Sequence, residues 1–160
     1  MVKIMIAVDG SAASLEAVRH AMALIRGGLQ ARVVLANVQE PATIYEVVTS
    51  RDPDLIAAAS LGAGEHLMAP ARALLHAAGV PYETDVGVGD AAHMLVEMIE
   101  NSDADMVIIG AKGQGSLSSA LLGSVSQQVA RTSPVPVTIV REAVVPEGME
   151  DDSLLQLAHD

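Results

Sequence analysis

The chain has 160 residues, 51% of them hydrophobic, a formal net charge of −11 and no cysteine. This length fits one domain with a sizeable core, and the lack of cysteine excludes disulfides, thiol catalysis and Cys–zinc sites. A nucleic-acid surface needs clustered Lys and Arg, so the acidic balance argues against nucleic acid as a partner.

The hydrophobic pattern alternates between short apolar runs, typical of buried strands, and longer segments with helical spacing. In chain order it predicts a strand at 2–8, a helix at 14–26, a strand at 31–38, a helix at 53–78, a strand at 82–88, a helix at 91–100, a strand at 105–110, a helix at 124–132 and a strand at 136–140. Such alternation predicts a parallel sheet with helices on both faces and right-handed crossovers. Pro70 is expected to kink or split the second helix.

The ends of these elements define the expected domain. We expect one domain over residues 1–141, with a loop at 42–51. Residues 142–160 hold six of the 20 acids and no Lys or Arg, which predicts a flexible acidic tail.

No segment approaches the roughly 20 apolar residues that a membrane helix needs. The first residues lead directly into a strand-like run, without the pattern of a signal peptide. The sequence therefore predicts a cytoplasmic protein that does not contact a membrane.

Three loops with distinctive chemistry follow predicted strands. They are Asp9-Gly10-Ser11, Val38-Gln39-Glu40 and the glycine-rich loop that begins at Gly110. In an open parallel sheet, ligands bind beyond the carboxyl ends of the strands, so we expect these loops to meet at one site.

The glycine-rich loop carries the most specific pattern. Gly110, Gly113 and Gly123 are followed at once by Ser124, between a buried strand and a helix. Glycine lets backbone N–H groups approach a phosphate closely, and the helix start adds unpaired donors and a positive dipole end. The spacing predicts a nucleotide held by its phosphates.

Two other phosphate motifs fit poorly. A P-loop would need a lysine at the position of Ser116. The segment from Gly87 to Ala92 matches G-x-G-x-x-A, but about 20 residues further on Gly110 stands where a dinucleotide site has an acid. A tight turn capped by Asp90 is the favoured interpretation there.

The whole pattern resembles the universal stress protein family, in its nucleotide-binding branch. That family's motif is G-x2-G-x9-G-[ST], which Gly110, Gly113, Gly123 and Ser124 match without a gap. The resemblance covers about residues 1–141. It implies an adenine nucleotide α-hydrolase-like fold, a three-layer α/β/α sandwich around a five-stranded parallel sheet in the order 3-2-1-4-5.

The resemblance also implies which residues bind the nucleotide. They are Asp9, Val38, Gly110, Lys112, Gly113, Gly123, Ser124, Val125 and Ser126. Asp9 would contact the ribose or adenine, and the backbone of Val38 would meet adenine. Gly110 and Gly113 would let the chain pass close to the ribose and phosphate, and residues 123–126 would hold the phosphates.

Simpler alternatives stay open for three of these residues. Asp9 is also suited to capping the first helix, and Ser124 to capping the last one. Lys112 occupies a variable position of the motif, so a solvated loop lysine and a phosphate partner are both consistent with it.

The function implied by the resemblance is an ATP-binding stress sensor or regulator, with slow or no hydrolysis and with Mg²⁺ as a companion of ATP. The family's last strand often pairs with its copy, which implies a homodimer through Val137 and Ile139. No catalytic residue or metal-ligand set stands out. The alternatives are an interaction module that works through this strand and the acidic tail, and an ATP-dependent transferase.

Overall fold

The structure, a computed structural model, describes residues 1–42, 49, 52–113 and 121–142. Within these residues the strands are β1 Val2–Ala7, β2 Ala31–Gln39, β3 Tyr82–Val88, β4 Met106–Gly110 and β5 Val137–Val140. The helices are α1 Ala12–Arg26, α2 Pro53–Ala77, α3 Ala91–Asn101 and α4 Ser124–Thr132. The observed ends agree with the predicted ones to within two residues, and those of β3 and α4 coincide with them. Most of the predicted loop at 42–51 and of the tail at 142–160 lies outside the described residues.

The strands form one parallel sheet in the order β3-β2-β1-β4-β5, which confirms the predicted fold class. In the register, Ala7 of β1 lies beside Ala36 of β2, and β2 continues along β3 to the pair Gln39 and Val88. Strand β2 therefore extends three residues beyond the end of β1. This difference in length opens space at the carboxyl edge of the sheet.

Two aliphatic clusters, one on each face of the sheet, form the core. Ile4 and Ile6 of β1 pack against α1 and α2, whereas Met5 packs in the cluster that contains α3 and α4. All three side chains have 0% exposure. Because β1 is covered on both faces, its sequence is apolar from Ile4 onward rather than alternating, with Lys3 as the one charged residue.

Side-chain caps fix the starts of three helices: Ser11 at α1, Asp52 at α2 and Asp90 at α3. Ser11 is the N-cap of α1 and accepts a 3.2 Å hydrogen bond from the Ser14 amide. The alternative that Asp9 caps this helix is therefore wrong. Asp90 caps α3 through a 3.0 Å bond from the His93 amide, as predicted, and the turn before it contains Gly89 at a φ of 152°.

Pro70 does not split α2, although a split was one of the two outcomes expected for it. The helix runs without interruption from Pro53 to Ala77. Proline removes one N–H, which leaves the carbonyl of His66 without its helical partner. Both Pro70 and His66 are exposed, so water can hydrogen-bond to that carbonyl and the helix continues.

Among the described residues, the helices are too short or too polar to cross a bilayer.

Candidate functional site

A cleft of about 1090 Å³ lies at the carboxyl edge of the sheet, where the strand order reverses between β1 and β4. Helix α1 follows β1 and packs on one face, whereas α4 follows β4 and packs on the other. The loops that leave these two neighbouring strands therefore diverge, as at the ligand crevice of other open α/β sheets. All three predicted loops contribute to the lining of this cleft.

The backbone of Val38 faces the cleft. The amide of Val8, the residue after β1, donates a 2.8 Å bond to the carbonyl of Ala36. Backbone polar groups of a strand alternate between its two sides, so the N–H and C=O of Val38 point to the same side as those of Ala36. Strand β1 has ended at that level, and the groups of Val38 offer one donor and one acceptor to the cleft.

Two amide side chains flank Val38: Asn37, which the sequence analysis missed, and Gln39, which it placed at the site without a role. Asn37 is 2% exposed and donates from Nδ2 to the Val8 carbonyl at 2.8 Å. Gln39 donates from Nε2 to Asn37 Oδ1 at 2.7 Å. Both residues line the cleft. A signal for them existed, since polar side chains at the end of an otherwise apolar buried strand need hydrogen-bond partners.

Asp9 and Gly113 bring the first and third loops together. Asp9 Oδ1 accepts a 2.9 Å bond from the Ser11 amide, which fixes the carboxylate over the start of α1. A Cβ at Gly113 would lie 2.6 Å from Asp9 Oδ2, so only glycine fits there without moving the carboxylate. Both residues line the cleft.

Packing against α1 also requires a glycine at position 110. A Cβ at this position would lie 2.8 Å from the carbonyl carbon of Ala13 and 2.9 Å from its Cβ. Glycine here allows the end of β4 to pack directly against the first turn of α1. The predicted closeness to a ligand is compatible with this contact, because Gly110 also lines the cleft.

The start of α4 presents backbone amides to the cleft. Gly123 is the N-cap and, having no side chain, leaves the first turn without a side-chain cap. Ser124 is thus the first helical residue, and the alternative that it caps α4 is wrong. Ser126 is 3% exposed, and its hydroxyl lies 3.0 Å from the Ala111 carbonyl and 2.9 Å from that of Gly123. The hydroxyl of Ser126 therefore holds the turn in place.

The charged side chains that line the described part of the cleft, Asp9 and Glu40, are both acids. Lys112 is not in this lining, although its Cα would be 3.5 Å from a Cβ at Gly123. Among the residues with assigned positions, no group of three or more His, Asp or Glu could hold a metal ion. An anion in the cleft would therefore be bound by N–H groups and hydroxyls.

Helix α2 forms an apolar wall of the cleft. The side chains involved are small or aliphatic: Leu55, Ile56, Ala59, Ala63 and Leu67. The first turn of this helix is exposed, with Leu55 at 63%. Such a surface is suited to the flat apolar face of an aromatic ligand.

A five-stranded parallel sheet in this order, with an uncapped helix start at its reversal point, defines an α/β protein of the adenine nucleotide α-hydrolase-like class. The sequence profile of the Universal stress protein family matches residues 1–141. The chain belongs to the universal stress protein family.

Individual relatives agree with this assignment. Universal stress protein MJ0531 of Methanocaldococcus jannaschii is 29% identical over 140 residues, which are 88% of this chain and 82% of that protein. The solved structure of hypothetical protein MJ0577 is 25% identical with a TM-score of 0.74, over 90% of this chain and 98% of that one. A universal stress protein solved in complex with cAMP is 26% identical with a TM-score of 0.61, over 88% and 96%.

Proposed function

We propose that this universal stress protein binds an adenine nucleotide, ATP in particular, and acts as a stress-response sensor or regulator. One observation carries the proposal: the first turn of α4 has no side-chain cap and directs its amides into a cleft beside Gly110 and Gly113. Unpaired amides at a helix start, together with the helix dipole, form a phosphate-binding site.

The proposed pose follows from the two ends of the cleft. The phosphates contact the amides of Ser124 and Val125 and the hydroxyl of Ser124. The base lies against the apolar wall of α2, with its edge on the N–H and C=O of Val38, and the ribose lies near Asp9. A cleft of about 1090 Å³ is large enough for a nucleotide. The cAMP complex of a 26% identical relative supports an adenine base.

The charge of the cleft supports binding with slow or no hydrolysis. Phosphoryl transfer requires positive charge on the transferred group. The described lining has the carboxylates of Asp9 and Glu40 and no Lys, Arg or His, with Lys112 as the nearest cation along the glycine loop. Mg²⁺ would enter as a companion of ATP, because one or two carboxylates plus phosphates are its usual partners.

The proposal includes a cytoplasmic homodimer paired through β5. Within the described sheet, β5 is an edge strand that pairs with β4 on one side only. Val137 and Ile139 of this strand are half-buried and pack against the hydrophobic cluster that contains α3 and α4. An apolar edge strand is a surface that proteins usually cover. Light scattering on the purified protein tests the dimer, and a monomer at micromolar concentration would contradict it.

Isothermal titration tests the nucleotide. We expect ATP, with and without Mg²⁺, to bind with a measurable heat and to raise the melting temperature. A ligand whose free concentration is 100 times its Kd stabilises the folded state by about 2.7 kcal/mol. Absence of both heat and thermal stabilisation at millimolar ATP would refute the proposal.

A further inference from the structure

Two consecutive hydrogen bonds, which link the Val8 carbonyl to the Asn37 amide and that amide to Gln39, fix the orientation of the Gln39 side chain. The Val8 carbonyl can only accept a hydrogen bond, so Nδ2 of Asn37 must face it, at 2.8 Å. Asn37 Oδ1 then faces Gln39, where it can only accept, and Gln39 Nε2 must donate to it at 2.7 Å. A single main-chain carbonyl thereby determines which atom of each amide lies where.

The atom of Gln39 that remains is an acceptor. Oε1 accepts no hydrogen bond from the described residues, and Gln39 lines the cleft. It belongs to the residue next to Val38, on the strand end that extends beyond β1. The remaining hydrogen-bonding atom of this lining side chain is thus an acceptor, on the residue adjacent to Val38.

We infer that Gln39, oriented by Asn37, selects a purine that carries an amino group at C6. This inference rests on the proposed function, since it assumes that a nucleotide base occupies this end of the cleft. Adenine directs an N–H donor from C6 toward Gln39 Oε1. Hypoxanthine and guanine direct a carbonyl oxygen from the same carbon, so two acceptors would face each other without a proton between them.

The orientation is what makes Gln39 selective. A glutamine free to rotate offers either a donor or an acceptor and accommodates both kinds of base. Here a rotation of the Gln39 amide would place Oε1 against Asn37 Oδ1, and a compensating rotation of Asn37 would place its oxygen against the Val8 carbonyl. Asn37 is 2% exposed, so water cannot readily relieve that conflict.

The test compares ATP with ITP, which differ only at C6 and N1 of the base. For the wild type we expect ATP to bind at least about tenfold tighter, since sites that hydrogen-bond a substrate group reject analogues without it. In Gln39→Met, of similar size, ATP affinity should fall about five- to tenfold while ITP affinity stays the same or rises. Asn37→Leu releases Gln39, so ITP affinity should rise relative to ATP.

Gln30→Met is the matched control, because Gln30 is exposed and precedes the opposite end of β2. It should change neither affinity. Gln39→Leu replaces Gln39→Met if circular dichroism shows that the methionine variant does not fold.

The outcomes separate the two proposals. If the wild type binds neither nucleotide, the proposed function fails and the inference fails with it. If the wild type binds ATP but the folded Gln39 variant keeps the same ATP to ITP ratio, Gln39 does not select the base and only the inference is overturned. A ratio that falls in both the Gln39 and Asn37 variants supports it.

Discussion

Replacing Gly123 by aspartate should raise stability and lower nucleotide affinity at the same time. Gly123 has a φ of −64° and a ψ of 156°, extended values that any residue adopts. The nearest atoms to an added Cβ would be the Ala111 carbonyl oxygen at 3.4 Å and the Lys112 Cα at 3.5 Å, which are ordinary contacts. Gly123→Asp therefore fits without a shift of the surrounding backbone.

The stability gain comes from a new cap. The carboxylate can accept hydrogen bonds from the uncapped amides of α4 and lies at the positive end of the helix dipole. Together these effects should stabilise the fold by about 0.5–1 kcal/mol. For a domain of this size, the melting temperature should rise by about 1–4 °C.

The loss of binding has the same origin. The new carboxylate occupies the amides that the phosphates would use and repels their negative charge. Loss of one charge-assisted hydrogen bond, worth about 1.5–3 kcal/mol, lowers ATP affinity by about ten- to a hundredfold, and loss of two lowers it by about a hundredfold or more. Differential scanning fluorimetry without ligand and isothermal titration with ATP measure the two effects on the same sample.

Gly123→Asn is the control, because it supplies a neutral cap of the same shape. It should keep part of the stability gain and lose less affinity than the aspartate variant. If folded Gly123→Asp binds ATP within threefold of the wild type, the phosphates do not contact the start of α4. A fall in melting temperature of more than about 5 °C would instead contradict the packing argument at this position.

Three further predictions concern the glycine loop and the end of the domain. Gly110→Ala places a methyl group 2.8 Å from the Ala13 backbone, so it should lower the free energy of unfolding by about 1–3 kcal/mol in urea titrations; unchanged stability would disprove the close contact with α1. Gly113→Ala should displace the Asp9 carboxylate and weaken ATP binding, with a smaller effect in an Asp9→Ala background; additive losses in this double-mutant cycle would show that the two residues act independently. Truncation after Arg141 should leave the melting temperature and ATP affinity unchanged by calorimetry, and a large loss of either would place the tail within the domain.

Much of the fold could be predicted because local pattern and tertiary environment agree. Strand β1 is apolar apart from Lys3 since both of its faces are covered, and strand β3 is followed by a recognisable cap, Asp90 before α3. The order of the strands came from the family resemblance. That Pro70 does not split α2 could not be predicted, because the cost of a helical proline depends on whether water reaches the carbonyl one turn earlier, and exposure is a tertiary property.

The site was predictable only where a residue type has one dominant use. The spacing of the glycines indicated the loop between β4 and α4. The sequence does not distinguish a glycine that contacts a ligand from one that packs against a helix. The contact of Gly110 with Ala13 was therefore invisible. Asn37 and the role of Gln39 were missed because the orientation of both amides depends on the carbonyl of Val8, 29 residues away from Asn37 along the chain.

The divergence of α1 and α4 from neighbouring strands creates the crevice through topology alone, before any ligand enters. Among the rim residues, Glu40 and Ser124 are exposed and Gln39 is half-buried, so core packing constrains them little. Substitutions at these positions can alter what is recognised while the scaffold persists. Evolution can thus change the ligand that such proteins bind by substituting a few residues at strand ends and helix starts, while the fold stays the same.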